Sequence, residues 1–251
     1  MKEQAIKDLL YNMADDHLIL GHRNSEWTGI GPILEEDIAF SSMAQDKIGQ
    51  SLVLYDLLHD MGEADPDKVA FMRPAENFQN CQFVELPIGE YDFSLARHFL
   101  FDHADLLRFE LLTNSRFESL AQIAAKFKGE IKYHVLHADV WIKKLGTANE
   151  ESINRLQNAF NFALPYALGI FEESKYELIL IEEGIFVGEN FIKEKWLEKI
   201  SDILNKTSIT VPDYTKLIPE TGGRFGRHTE HLQPLLSEMA EVFKIDPSAE
   251  W

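Results

Sequence analysis

Residues 32–62, PILEEDIAFSSMAQDKIGQSLVLYDLLHDMG, decide the fold class of this chain. Pro32 stands where its fixed φ suits a helix start, and Glu35, Glu36 and Asp37 follow in the turns where carboxylates favour the positive end of the helix dipole. From there Ile38, Ala44, Ile48, Leu52, Tyr55 and Leu58 recur at helical spacing until Gly62, which predicts a long helix with one apolar face. A strand would alternate every second residue, and this segment does not.

Working outward, the same period returns along most of the chain. Leu9, Leu10, Met13, His17 and Leu20 mark a first helix whose end Gly21 weakens, followed by a loop from Asn24 to Gly31. Residues 63–91 are punctuated by Asp65-Pro66-Asp67, Arg73-Pro74 and Leu86-Pro87-Ile88-Gly89, an irregular excursion with one or two helical turns. Helical spacing resumes near Asp92 with Leu95, Phe99, Leu106, Phe109 and Leu112. A further helix over 117–145 is closed by Lys143, Lys144 and Gly146. Asn149 can cap the next, through Phe162, with Pro165 breaking or kinking it before the pattern resumes through Ile185. Phe191, Trp196, Leu197 and Ile200 define a helix over 189–205. Residues 206–251 hold a proline-containing loop, a Gly/Arg stretch and a last helix with Leu235, Leu236, Met239 and Phe243. About six or seven helices with short connections predict an all-α bundle, folded as one domain over residues 1–251.

Composition excludes several function classes. Among 251 residues, Asp+Glu number 42 against Lys+Arg 24, a net charge of −18 that repels a phosphate backbone and argues against nucleic acid as a partner. The single Cys81 rules out an internal disulfide, a CxxC pair and a multi-Cys zinc site. Charges in Met1–Asp8 occupy the place of a signal peptide's apolar core, and no apolar run reaches about 18 residues, so the sequence reads as cytoplasmic, with no membrane span.

Long helical bundles often hold two metal ions between Glu-x-x-His pairs, because residues three apart share a helix face. No glutamate here has a histidine three residues later, and Asp56-x-x-His59 reads as a surface pair at a helix end. Glu130 and His134 are four apart and also share a face. With Asp102, His103, Asp15, Asp16 and His17 they form either a ligand remnant or a buried polar network whose members satisfy one another. The stretch Thr221–His231 gathers three glycines with Arg224, Arg227 and His228. That set is either an anion site of the kind a CoA phosphate would use, or a glycine loop whose arginines meet nearby carboxylates. His228 and His231 lack a third metal ligand. Lys126, Lys128 and Lys132 make a modest basic patch, open to an acidic partner or simply solvated.

Several runs carry a wider likeness: Ser25-Glu26-Trp27, Glu36-Asp37-Ile38-Ala39, Asp46-Lys47-Ile48-Gly49-Gln50, Glu130-Ile131-Lys132-Tyr133-His134, Glu182-Glu183-Gly184-Ile185, Thr221-Gly222-Gly223 and His228-Thr229-Glu230-His231-Leu232. Over essentially its whole length the chain resembles the phenylacetic acid degradation (PaaA/PaaC) family. The likeness is to its C-type branch, the non-catalytic subunit of the bacterial phenylacetyl-CoA epoxidase. The resemblance implies a ferritin-like helical bundle with additional helices, no catalytic residue and no metal in this chain. A di-iron centre is then expected in the catalytic A-type partner, which oxygenates the aromatic ring and handles phenylacetyl-CoA. Other subunits and a reductase complete the complex, and the resemblance admits a homodimer within a heterotetramer. Lys47 and Gln50 stand where the catalytic relative would place Glu and His, so Lys47, Gln50, Glu130 and His134 become vestigial metal-site positions. An ammonium at Lys47 could neutralise carboxylates that no longer hold a metal. The competing expectation is an autonomous di-iron oxygenase using Asp16, Asp102, Glu130 and His134.

Overall fold

The structure, a computed structural model, describes residues 1–247. Ten α-helices run through them: α1 Lys2–Ser25, α2 Leu34–Asp60, α3 Pro66–Phe71, α4 Gln82–Glu85, α5 Tyr91–Leu112, α6 Glu118–Leu145, α7 Glu150–Leu168, α8 Glu177–Glu182, α9 Glu189–Leu204 and α10 Leu232–Met239. The described residues contain no strand, so the all-α class expected of the sequence holds. Six helices of 16 to 28 residues carry it, consistent with a ferritin-like helical bundle. None is long and apolar enough to cross a membrane.

By its internal contacts the chain divides into two compact units. One joins Ile6–Pro87 to the chain from Gly222, and the other joins Met1–Ala5 to Ile88–Thr221. Of the C-terminal loop and helix read over 206–251, the loop up to Thr221 falls in the second unit and the remainder in the first.

In the first unit, α1 continues four residues past the expected weak point at Gly21. A Cβ there would lie 2.7 Å from Ile48 Cγ1 and 3.3 Å from the Ala44 carbonyl oxygen, so this glycine lets α1 and α2 approach closely. Helix α2 forms as expected, but its inner face is only partly the predicted one. Ala44, Tyr55 and Leu58 are buried, whereas Ile38 and Leu52 are exposed and Ile48, lying against Gly21, is only partly covered. Glu36, Lys47, Gln50 and Ser51 are buried there beside Phe40, Met43, Leu54 and Leu57. A helix that buries polar groups among its apolar ones and leaves some apolar residues outside is read only in part by apolar periodicity. The 63–91 excursion is also more ordered than expected. Asp65 caps α3 by accepting the Asp67 N–H, with Pro66 at the first helical position, and α4 follows.

In the second unit α5 is the central element, buried along nearly all its length. Phe99 meets Phe160 of α7 edge-on at 5.8 Å, and Phe109 meets Phe127 of α6 edge-on at 5.5 Å. Trp196 of α9 donates its indole N–H to the Leu100 carbonyl at 2.9 Å and packs against Phe171. Asn149 and Ser152 close a capping box at the start of α7, which runs through Pro165 to Leu168 without breaking. Helix α8 stops at Glu182, shorter than the pattern through Ile185 predicts.

Gly188 precedes α9 and has no side chain with which to cap it. The Glu177 carboxylate substitutes, accepting the Glu189 N–H at 3.0 Å, while the Glu189 side chain pairs with Arg108 of α5 at 2.5 Å. Burial, reinforced by the charges of Glu189 and Glu173 against the help of that hydrogen bond, pushes the Glu177 carboxyl up to about 7. Its folded value thus lies above its unfolded one, so its contribution is fully present at low pH and is lost as pH rises through about 7. Glu177→Gln keeps an accepting oxygen and removes the charge. Its melting temperature relative to wild type is expected to be higher at pH 8 than at pH 5, and thermal unfolding at both pH values checks this.

Candidate functional site

The first unit concentrates its buried charge on α1. Asp16 takes a two-pronged contact from Arg224, with Nη1–Oδ1 at 2.9 Å and Nη2–Oδ2 at 2.7 Å, and accepts the Cys81 N–H at 2.7 Å. Arg224 Nη1 also reaches the Asn12 and Gln79 carbonyl oxygens at 3.1 and 2.8 Å. Beside it, Asp15 receives Tyr55 Oη and Arg73 Nη2, each at 2.5 Å, and the Gln79 N–H at 2.7 Å. The Arg73 guanidinium lies over the Phe78 ring at 4.1 Å. A third carboxylate, Glu85 at the end of α4, accepts Asn80 Nδ2 and His228 Nδ1 on one oxygen, and the Thr229 N–H and hydroxyl on the other. The other His228 ring nitrogen, Nε2, lies 3.0 Å from the Phe78 carbonyl.

Glycine makes these contacts accessible. A Cβ on Gly223 would run into the Asn80 carbonyl oxygen, and Gly226, at φ +73, turns the chain against Glu76. The Gly222–Gly226 loop therefore lies backbone to backbone on residues 76–81, which drives Arg224 inward. Of the three candidate anion residues, Arg224 is buried against Asp16, His228 is engaged at both ring nitrogens, and Arg227 keeps an exposed side chain. The anion expectation gives way for Arg224 because its charge is neutralised inside the unit, the second of the two sequence readings. Lys47 and Gln50 are both buried on the inner face of α2. Burial pushes the Cys81 thiol well up, which disfavours its thiolate.

The second unit holds a separate cluster between α5 and α6. His98 Nδ1 lies 2.6 Å from Asp102 Oδ2, and His98 Nε2 lies 3.2 Å from His137 Nδ1. His134 Nδ1 is 3.5 Å from Asp102 Oδ1. His103 Nε2 meets Asp139 Oδ1 at 2.8 Å. Burial holds His98 below its ordinary value against the opposing charge of Asp102, which favours a neutral ring. Against the upward pull of burial, the His103 hydrogen bond and the Lys143 charge hold Asp139 below its usual range. His134 is wholly buried, while Glu130 on the same helix is half-buried.

Among the described residues no group of three or more His, Cys, Asp or Glu is arranged to hold a metal ion. The donor set explains part of this. Both Asp16 oxygens face a guanidinium, and a cation at that carboxylate would meet an arginine already in place. Asp102 likewise spends one oxygen on His98. Asp16 and Asp102, partnered in this way, do not fit a di-iron centre.

The family model described as "Phenylacetic acid catabolic protein" matches residues 1–251. The chain belongs to that family. Within the phenylacetic acid catabolic family it is 32% identical over 240 residues to the C-type subunit of the 1,2-phenylacetyl-CoA epoxidase of Escherichia coli (strain K12), covering 95% of this chain and 96% of that one. The family likeness read from the quoted motifs is thereby borne out.

Sequence reasoning missed Arg73, Glu85 and His98. His98 and Asp102 stand four apart on α5, so a search for His preceding Asp by one turn would have found them. Arg73 and Glu85 lie in the proline-punctuated excursion, where no period points inward or outward.

Arg224→Met leaves the Asp16 carboxylate buried beside apolar atoms and is expected to cost about 3–5 kcal/mol of stability. Asp16→Leu combined with Arg224→Met should cost clearly less than the sum of the single changes. Urea unfolding of the four proteins in the cycle measures the coupling, and additive losses would contradict it.

Proposed function

We propose that this chain is the structural, non-catalytic subunit of a multicomponent phenylacetyl-CoA epoxidase, bound to a di-iron A-type subunit that performs the ring oxygenation. The observation that carries the reading is the end-to-end match to the C-type subunit of such an epoxidase, with 95% and 96% of the two chains aligned. The site chemistry supports it. A di-iron protein needs several carboxylates facing metal, yet Asp16 faces Arg224, Asp15 faces Arg73, and α2 turns Lys47 and Gln50 inward. Lysine offers only donors, and a glutamine amide is a poor ligand beside imidazole. On this reading the helices act as a partner surface and scaffold. CoA-thioester handling falls mainly to the A-type subunit, and Arg224, one of the two arginines of the candidate anion stretch, is committed to Asp16.

Co-expression with the A-type subunit, followed by affinity purification through a tag on this chain, should recover both polypeptides. Iron analysis of this chain purified alone should give less than about a tenth of an iron per chain, against the about two that a bundle carrying its own di-iron site would hold. A chain that carries two irons and oxygenates phenylacetyl-CoA unaided would overturn the reading in favour of an autonomous oxygenase built on Asp16, Asp102, Glu130 and His134.

A further inference from the structure

Helix α6 buries Ile131, His134, Val135, Ala138 and Ile142 and turns a different line of residues outward. Tyr133, Leu136 and Val140 stand three and four residues apart on that line and are 63%, 60% and 53% exposed. Scattered exposed apolar residues need no explanation, but a row at helical spacing in the middle of a 28-residue helix is a seam. One turn before Tyr133 the seam contains Gly129, where a Cβ would meet nothing within 4 Å. Glycine is disfavoured against alanine inside a helix, and nothing in the fold asks for it at this position. A second helix crossing at close range does, because the missing Cβ lets two backbones approach.

Charge identifies the kind of helix. In a chain of net charge −18, exposed Lys126 and Lys132 lie beside one end of the seam, and exposed Lys143 and Lys144 lie beside the other. Two of these lysines make solvent-exposed pairs, Lys132 with Glu110 at 3.7 Å and Lys143 with Asp139 at 3.3 Å, which hold them only weakly. A second copy meeting the seam through its own α6 would set lysine against lysine across an isologous contact.

We propose that this face of α6 docks an amphipathic helix of another subunit, one whose apolar seam is flanked by aspartate and glutamate. Such a contact along a helix about 42 Å long can form the centre of a standard interface of about 800 Å² a side. The proposal rests on the reading of the chain as an epoxidase subunit and assigns the surface through which that assembly forms.

The test uses the full-length chain and the purified A-type subunit, with binding measured by calorimetry at two salt concentrations. Leu136→Glu should weaken binding about tenfold or more while leaving the melting temperature of the isolated chain unchanged. The double variant Lys126→Glu, Lys132→Glu should bind more weakly and lose the salt dependence of the wild type. Gly129→Ala should raise the melting temperature of the isolated chain by about 2 °C, yet weaken the complex. Wild-type chain that binds while Leu136→Glu binds equally well overturns the docking face and leaves the subunit reading standing. Wild-type chain that does not bind overturns the subunit reading and the docking face with it. A chain that dimerises alone, with the dimer lost in Leu136→Glu, puts a second copy on the seam and overturns the acidic partner.

Discussion

Arg224 reaches Asp16 from 208 residues further along the chain and meets both carboxylate oxygens at hydrogen-bonding distance. Closing so long a loop costs entropy, but the cost grows only with the logarithm of loop length. Leaving a buried carboxylate without a partner costs several kcal/mol as well, since the desolvated charge has no compensation. The pairing therefore fixes how the C-terminal segment is laid on α1. Arg224 can arrive only if the Gly222–Gly226 loop lies flat on residues 76–81, which in turn needs glycine at 223 and 226. With the loop seated, His228 and Thr229 fall against Glu85. One ion pair thus couples α1, the 63–91 excursion and the final segment.

Compensation by protein cations and histidines recurs throughout the molecule. Asp15 is met by Arg73 and Tyr55, Asp102 by His98, Asp139 by His103, and Glu189 by Arg108. In each case a buried or half-buried carboxylate finds its partner on another helix or another turn. A bundle that used these groups to coordinate metal would leave their oxygens facing one another across a shared ion. Here they face donors.

Polar residues turned inward also explain where the apolar ones went. On α2, Glu36, Lys47, Gln50 and Ser51 share the buried face with Phe40, Met43, Ala44, Leu54, Tyr55, Leu57 and Leu58, while Ile38 and Leu52 are exposed. On α6 the inner face is filled, and Tyr133, Leu136 and Val140 remain outside as a seam. Exposed apolar rows on long helices are a burden for a chain that acts alone. They are ordinary for a chain whose surface is completed by other polypeptides.

By itself the sequence determined the helices and the family. Helical spacing of apolar residues is a local property, set by 3.6 residues per turn, so the extents of α5, α6 and α9 and the Asn149 cap were legible to within a few residues, while α7 ran on through Pro165. The motif runs carried the likeness to the phenylacetic acid proteins for the same reason, as each is a short contiguous string. What only the tertiary structure decided was which charged groups meet. Arg224 looked equally suited to a phosphate and to a carboxylate, and the choice depended on Asp16 lying across a distance that no periodicity encodes. The inner face of α2 was hidden likewise, because Lys47 and Gln50 belong inside only when the surrounding fold supplies their partners. Local pattern fixes an element, but a buried charge is settled by what is brought to it from elsewhere in the chain.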